Sequence, residues 1–413
     1  MVCYAPRMSD PVIIIGAGHA GGAAAFELRR AGFDGPITLI GGEAYPPYQR
    51  PPLSKAYLKG DAGADDLFLR GPDWYEDTNT KLILRTRIIS IDPATHVVTT
   101  SDGTTHTYGH LILATGARCR TLDVPGANLP GVQTLRDFDD VSALKPHIGQ
   151  GKHLVVVGGG FIGLEAAAVA RQRGTAVTVI EREGRLMART SSPEMSTFYH
   201  DLHTRHGVDI RYGVRSAAFT GTHAVDGVTL SDGRHIRADA VLIGIGVIPN
   251  VDLAVSAGIP ADNGVLVDAD GRTSNPHIFA IGDVANRSLG GHRVRLESVH
   301  NALEGAKLVA AAICGLPRPV LEIPWFWSDQ YDVKLQIVGL ISAGAELVVR
   351  TSAPASRTVF HLVDGRVQAV EAANDPAAFM AGKALIAKGI AVDAAQLADP
   401  GVPLKSLLTS AVS

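Results

Sequence analysis

The chain has 413 residues, 46% of them hydrophobic, with 45 glycines and a formal net charge of −3. That length is enough for two or three domains with their own cores. The balance of charge argues against a nucleic-acid partner, no apolar run reaches the ~18 residues of a membrane span, and the few scattered cysteines fit a cytoplasmic, reducing compartment. Cys3, Cys119 and Cys314 show no CxxC or CxxxxC spacing; this argues against a disulfide framework, a thiolate metal site or a redox-active dithiol.

The first ten residues, MVCYAPRMSD, lack the apolar core of a signal peptide and read as an unstructured lead-in, with Met8 an alternative start. Val12–Ile15 is a β-branched run suited to a parallel strand buried on both faces. It opens the string VIIIGAGHAG at 12–21. Residues 22–30 have helical composition and stop at Gly32, and Ile37–Ile40 is a second strand, which completes a βαβ unit. The same order recurs with LVVVGGGFIG at 154–163, a helix over 164–173 and a strand over 176–180. HLILATGARCR and AVLIGIGVIPN are matching strand–glycine elements that close the two sheets. Ala114, Thr115 and Gly116 in one, and Gly246 in the other, count as cofactor-lining. RTSNPHIFAIGDVA places a strand at 278–281 before Gly282 and Asp283. Beyond about residue 320 the pattern becomes aromatic and alternating, with a hairpin around Asp364 and Gly365. The expected fold is α/β: two Rossmann-like nucleotide-binding domains plus a C-terminal α+β domain with an antiparallel sheet. The boundaries read as 8–115 with 246–320, then 116–245, then 321–413.

Each glycine string is a strand, a turn and a helix start. Gly16 and Gly158 permit the bend, Gly18 and Gly160 let the backbone approach a pyrophosphate, and Gly21 and Gly163 let helix and strand pack closely. The helix N-terminus presents free N–H groups and a positive dipole end to the phosphates. Phe161 and Ile162 complete the second turn. Two such turns on one chain imply two nucleotides, a flavin and a nicotinamide. Glu181 directly follows the strand of the second unit, where a carboxylate accepts from ribose hydroxyls and repels a 2′-phosphate. NADH is therefore expected there, although Arg182 and Arg185 leave an opening for NADPH. In the first unit, Glu43 is the corresponding acid. Asp283, on a Gly-Asp turn outside both units, resembles a known flavin-site pattern, which implies that the first site takes the flavin.

The order fingerprint, ATG, fingerprint, GD resembles that of the FAD-dependent pyridine-nucleotide oxidoreductases. Within them, the chain is similar to the NADH-dependent ferredoxin and rubredoxin reductases of bacterial oxygenase systems. The likeness rests on PPYQRPPLSKAYL at 46–58, LESVHNALEGAK at 296–307, PWFWSDQYDVKLQIVGL at 324–340 and GVPLK near the C-terminus. It implies FAD contacts from Ala20, Arg50, Lys55, Ile88, Arg136, Asp283 and Val299. Glu43 lies one place beyond the family's usual acid, where this chain has Gly42. His300 replaces the commoner proline or glutamine and is read as a polar residue beside the flavin.

The resemblance also pairs Lys55 with Glu165 beside the nicotinamide and sets Trp327 against the flavin ring. The plain alternative makes Trp325 and Trp327 core aromatics. The implied cycle passes hydride from NADH to FAD and single electrons to a 2Fe–2S ferredoxin that supplies a haem monooxygenase or similar oxygenase. Arg70 and Lys307 match basic docking positions, and a monomer or weak dimer is expected. The alternatives are an NADH oxidase, a small-quinone or rubredoxin reductase, or an NADH-sensing regulatory flavoprotein. YPPYQRPPLSK lacks the cysteine of related oxidases and disulfide reductases, and the chain lacks long basic insertions.

Overall fold

The computed structural model describes residues 10–409; the lead-in with Cys3 and Met8 lies outside them. The chain divides into two compact units. The first holds 10–50, 64–118 and 247–322; the second holds 51–63, 119–246 and 323–409.

The first unit is built on a five-stranded parallel sheet, in the order Ile278–Ala280, His110–Leu113, Val12–Ile15, Ile37–Ile40, Thr80–Ile83. Alternation along Val12–Ile15 sends Val12 and Ile14 to one face and Ile13 and Ile15 to the other. The first pair joins a core with Ala24, Leu28, Val309 and Ile313 from helices His19–Arg30 and Val299–Ile313. The second pair joins Ile91 and Val98 of a small antiparallel sheet. Both faces are covered, which is why the strands read as unbroken apolar runs.

The second unit repeats the design. Its parallel sheet runs Val208–Tyr212, Ala176–Glu181, His153–Val157, Ala240–Ile243, Val132–Gln133, with helix Phe161–Gln172 after the glycine turn. The same unit holds a five-stranded antiparallel sheet, in the order Trp325–Gln330, Val333–Gly339, Arg366–Ala373, Arg357–Val363, Glu346–Arg350. Helix Pro376–Lys388 covers that sheet through Phe379 and Leu385. The hairpin at Asp364 and Gly365 is present, with both residues at positive φ.

Strand boundaries match the sequence reading to within a residue or so. The first helix begins at His19 rather than 22. Two glycines enter it because side chains have no room: a Cβ on Gly21 would lie 1.9 Å from Gly16 O, and one on Gly22 would lie 2.5 Å from Pro47 Cβ. Among the described residues, no helix is long and apolar enough to cross a membrane, and no cluster of side chains could hold a metal ion.

Candidate active site

Both glycine turns divide the same way under a steric test. Gly16 has φ +109°, and a Cβ there would lie 2.2 Å from Ala114 O; Gly158 has φ +103°, with a Cβ 2.5 Å from Gly244 O. The fold itself demands glycine at these positions. Gly18 and Gly160 are different. Their backbones are extended, and an added Cβ would meet nothing nearer than 3.9 Å: the Arg50 guanidinium at Gly18, and Gly244 O at Gly160. Each caps a helix N-terminus with no side-chain cap. The protein leaves two open cradles at helix starts where nothing of its own requires glycine, and both fit a closely approaching pyrophosphate.

Around the first cradle, the Gly282 turn closes onto the helix start: Gly282 has φ +70°, and its Cβ would lie 2.8 Å from Ala20 Cβ. This brings Asp283 near His19. His19 was missed by the sequence reading, although it lies inside the fingerprint. Its Nδ1 is buried without a hydrogen-bond partner, and burial lowers its pKa to about 4 against the opposing pull of Asp283. A buried, unsatisfied nitrogen at the mouth of a cradle is a further sign of a ligand. Glu43 is engaged by Tyr48 Oη, which donates at 2.6 Å, and by the Arg50 guanidinium. Thr115 and Asn250 exchange two hydrogen bonds, of 2.9 and 2.8 Å, and Gly116 turns at φ +63°. Ile88 is half-buried in strand Ile88–Asp92, and Val299 opens its helix behind the cap Ser298. His300 is buried, with Nε2 3.9 Å from Glu322.

Around the second cradle, Glu181 is fixed from two sides. Its Oε2 accepts from Gly159 N at 2.7 Å and its Oε1 from Glu183 N at 2.8 Å. The carboxylate therefore sits against the turn itself. The two nearby arginines are engaged elsewhere: Arg182 donates to Glu183, and Arg185 to Ser191 O, Ala188 O and Ser196 Oγ. Ile162, in the first helical turn, is 41% exposed, while Phe161 packs on Phe326 with ring centroids 4.9 Å apart. Gly246 turns at φ +97°, and Arg136 N donates to Asp140 Oδ2.

The second unit also holds the largely buried pair Lys55–Glu165, at 2.7 Å, with side chains 18% and 4% exposed. Pro51–Ser54 forms a 3-10 turn, as the two prolines suggest, and Lys55 follows it. Glu165 is on helix Phe161–Gln172. Two hydroxyls that sequence reasoning did not single out complete its shell: Ser54 Oγ donates to Oε2 at 2.5 Å and Ser328 Oγ to Oε1 at 2.6 Å. Strand Trp325–Gln330 alternates, so Trp325 and Trp327 share the opposite face from Ser328. The two indoles lie 5.5 Å apart, and Trp325 also meets Phe379. Arg70 is exposed with its guanidinium over Phe26, and Lys307 pairs with buried Glu304 at 2.7 Å while 36% exposed. Burial raises the thiol pKa values of Cys119 and Cys314, which are free.

Residues 10–306 match the family model of the pyridine nucleotide-disulphide oxidoreductases, and residues 325–408 match a reductase C-terminal domain. The chain belongs to the pyridine nucleotide-disulphide oxidoreductase family. It is 43% identical to the probable ferredoxin reductase CtmF of Castellaniella defragrans, over 97% of this chain and 99% of the relative. To rhodocoxin reductase of Rhodococcus erythropolis it is 44% identical, over 95% and 93%. The fold superposes on the reductase in the covalent putidaredoxin reductase–putidaredoxin complex with a TM-score of 0.95 and 40% identity, covering 98% of this chain and 99% of that one. FAD and a nicotinamide nucleotide are the cofactors of this family, and the two open cradles fit them.

Proposed function

We propose that the protein is a cytoplasmic NADH:ferredoxin oxidoreductase that carries FAD and delivers electrons to a 2Fe–2S ferredoxin, which in turn feeds a haem monooxygenase or similar oxygenase. The observation that carries this reading is the pair of open glycine cradles on one chain. The cysteine spacing offers no dithiol as an internal acceptor, so the electrons go to a separate carrier. When bound, the cofactors supply hydride transfer from nicotinamide to flavin and the release of electrons one at a time.

The chain's own residues hold and orient. Segments 8–115 and 246–320 are assigned to FAD, with contacts from Gly16, Gly18, Ala20, Gly21, Glu43, Arg50, Ile88, Ala114, Thr115, Gly282, Asp283 and Val299, and from Gly116 just past the first of them. Lys55, Arg136 and Trp327 are assigned to the flavin as well. Segment 116–245 is assigned to NADH through Gly158, Gly160, Phe161, Ile162, Gly163 and Glu181; Gly246, at the boundary between the two, is assigned to cofactor binding. The Glu181 carboxylate is pre-set by two backbone amides to accept from ribose hydroxyls. Lys55 and Glu165 form a fixed dipole assigned to the hydride step, with the ammonium stabilising negative charge on the reduced ring. Segment 321–413 is the interface domain. Arg70 and Lys307 are assigned to a basic rim for an acidic carrier, as steering depends on local patches rather than net charge. A monomer or weak dimer suffices for such a shuttle.

A stopped-flow series tests the reading. The NADH-reduced yellow protein is offered oxygen, cytochrome c, and cytochrome c with a 2Fe–2S ferredoxin. Strong dependence on the ferredoxin is expected. Rapid oxygen consumption without it would make the protein an oxidase, and slow reoxidation by every acceptor would make it a regulator. Either result overturns the proposal.

A further inference from the structure

The shell around Glu165 continues inward as a string of buried polar groups within the second unit. Gln330 Nε2 donates to Ser328 Oγ at 3.1 Å, and Gln330 Oε1 lies 2.8 Å from His203 Nε2. On the other side of the imidazole, Tyr331 Oη lies 3.4 Å from His203 Nδ1. Ser328 and His203 are fully buried, and Gln330 is 1% exposed. Polar groups buried this deeply are tolerated only when mutually satisfied.

Their placement follows from periodicity. Ser328 and Gln330 are two apart on strand Trp325–Gln330, hence on one face, and Phe326 on that face meets Phe161 of the helix that carries Glu165. His203 comes from helix Pro193–Arg205. Tyr331 holds φ +56°, a costly conformation for a bulky residue; it follows Gln330 directly, and its ring stacks on His206 with centroids 3.7 Å apart.

The donor directions admit one consistent assignment. Ser328 gives its only proton to Glu165, so it must accept from Gln330. The amide oxygen of Gln330 then faces His203, so His203 must carry its proton on Nε2. Its Nδ1 is left to accept from Tyr331. Every bond points the same way, toward the carboxylate. The opposite tautomer would set two acceptors against each other, or flip the amide and turn the Ser328 proton away from Glu165. Burial keeps His203 neutral, with its pKa lowered to about 4.

We propose that Ser328, Gln330 and His203 are positioning residues: a one-way hydrogen-bond string that fixes the Glu165 carboxylate against Lys55 for the hydride step. This rests on the role given to Lys55 and Glu165 above. It assigns a function to three residues that touch neither cofactor in that reading.

The test uses the FAD-loaded protein and the variants Ser328→Ala, Ser328→Thr, Gln330→Leu and Glu165→Gln. Ser328→Ala is expected to slow flavin reduction by NADH about tenfold, the size of one lost hydrogen bond to a charged group, and Gln330→Leu, which removes the neutral donor behind Ser328, about fivefold. The NADH KM should stay within about twofold, since neither residue is assigned to the nucleotide. Ser328→Thr, which keeps the hydroxyl, should restore the rate. Independently of turnover, 15N NMR of the imidazoles should find His203 as the Nε2–H tautomer in the unmodified protein and lose that preference in Gln330→Leu. Unchanged reduction in Gln330→Leu, or an Nδ1–H His203, overturns the string. Should a truncation prevent folding, the tautomer measurement on the unmodified protein decides alone. Unchanged reduction in Glu165→Gln overturns the underlying site reading instead, so the two failures are distinguishable.

Discussion

Substituting the two glycines of the second cradle in parallel separates what the fold needs from what a ligand needs. Gly160→Ala places a methyl in open space on an ordinary backbone, with Gly244 O, at 3.9 Å, its nearest neighbour. Alanine is a poorer helix N-cap than glycine by roughly 0.5–1 kcal/mol, and the stiffer unfolded chain returns about 0.4–1 kcal/mol. The net is near zero, so the melting temperature should hold to within about 2 °C. Gly158→Ala meets two penalties. Its φ of +103° is left-handed, and the methyl would lie 2.5 Å from Gly244 O and 2.9 Å from Gly244 C, both backbone atoms. Strain of about 1–3 kcal/mol plus overlap of about 1–3 kcal/mol should cost the unit most of its stability. The assays are circular-dichroism melts without nucleotide and a fluorescence titration with NADH. Gly160→Ala should melt like the unmodified protein and bind NADH at least about tenfold more weakly, a loss of ~1.4 kcal/mol. If it binds NADH normally, no phosphate approaches this turn. If it unfolds, the fold and not a ligand demanded the glycine. Either outcome refutes the steric reasoning.

Three further outcomes are expected. Glu181→Ala should lower the preference for NADH over NADPH by about tenfold in kcat/KM, as a fixed carboxylate beside the turn is lost; equal use of both by the unmodified protein would refute the role of Glu181. Lys55→Met leaves the buried Glu165 carboxylate without its cation, which should destabilise the second unit by about 3–5 kcal/mol. Lys55→Met with Glu165→Gln should recover part of that loss, and an additive double variant in thermal melts would contradict the pairing. Burial lowers the pKa values of His19, His110 and His203 to about 4, from 6.5. The unfolded chain therefore binds more protons between those values, so stability is full above pH 6.5 and falls as pH drops toward 4. His110→Gln should flatten the slope of melting temperature against pH over that window, and an unchanged slope would sink the assignment.

The central parallel strands were legible because each is a short run rich in apolar and β-branched residues between turn residues, with both faces covered; the edge strands Thr80–Ile83 and Val208–Tyr212, more polar, were not. Val12–Ile15 and Ile37–Ile40 have the same limits in sequence and structure. The start of the first helix was not, because glycine's poor propensity hides the reason for Gly21 and Gly22, which is steric and visible only once the helix packs. The Lys55–Glu165 pair was legible through the resemblance alone, since nothing local links residues so far apart. The same barrier hid Ser54 and Ser328, which reach Glu165 across 111 and 163 positions. Alternation on strand Trp325–Gln330 did put Ser328 and Gln330 on one face, but not opposite a carboxylate. The offset of Glu43 has a local counterpart: Tyr48 and Arg50, five and seven residues further along the same loop, draw its carboxylate to themselves.

A buried ion pair is a weak device for stability, because desolvating both charges offsets most of their attraction, and well-packed apolar residues often serve as well. The second unit nevertheless spends two hydroxyls, an amide and an imidazole around one such pair, at 2.7 Å and nearly out of solvent. Elsewhere the unit also buries the pair His361–Glu371 at 3.0 Å, but the parallel sheet's own interior is made of Val155, Ile180, Val241 and their neighbours. Stability alone does not account for this concentration of polar groups in one place. Fixed orientation does: dipoles already aligned in a low-dielectric site need no reorganisation when charge develops nearby. Glu165 lies one turn into the helix that the open Gly160 cradle begins, so a nucleotide seated on that cradle and the oriented pair share one rigid element.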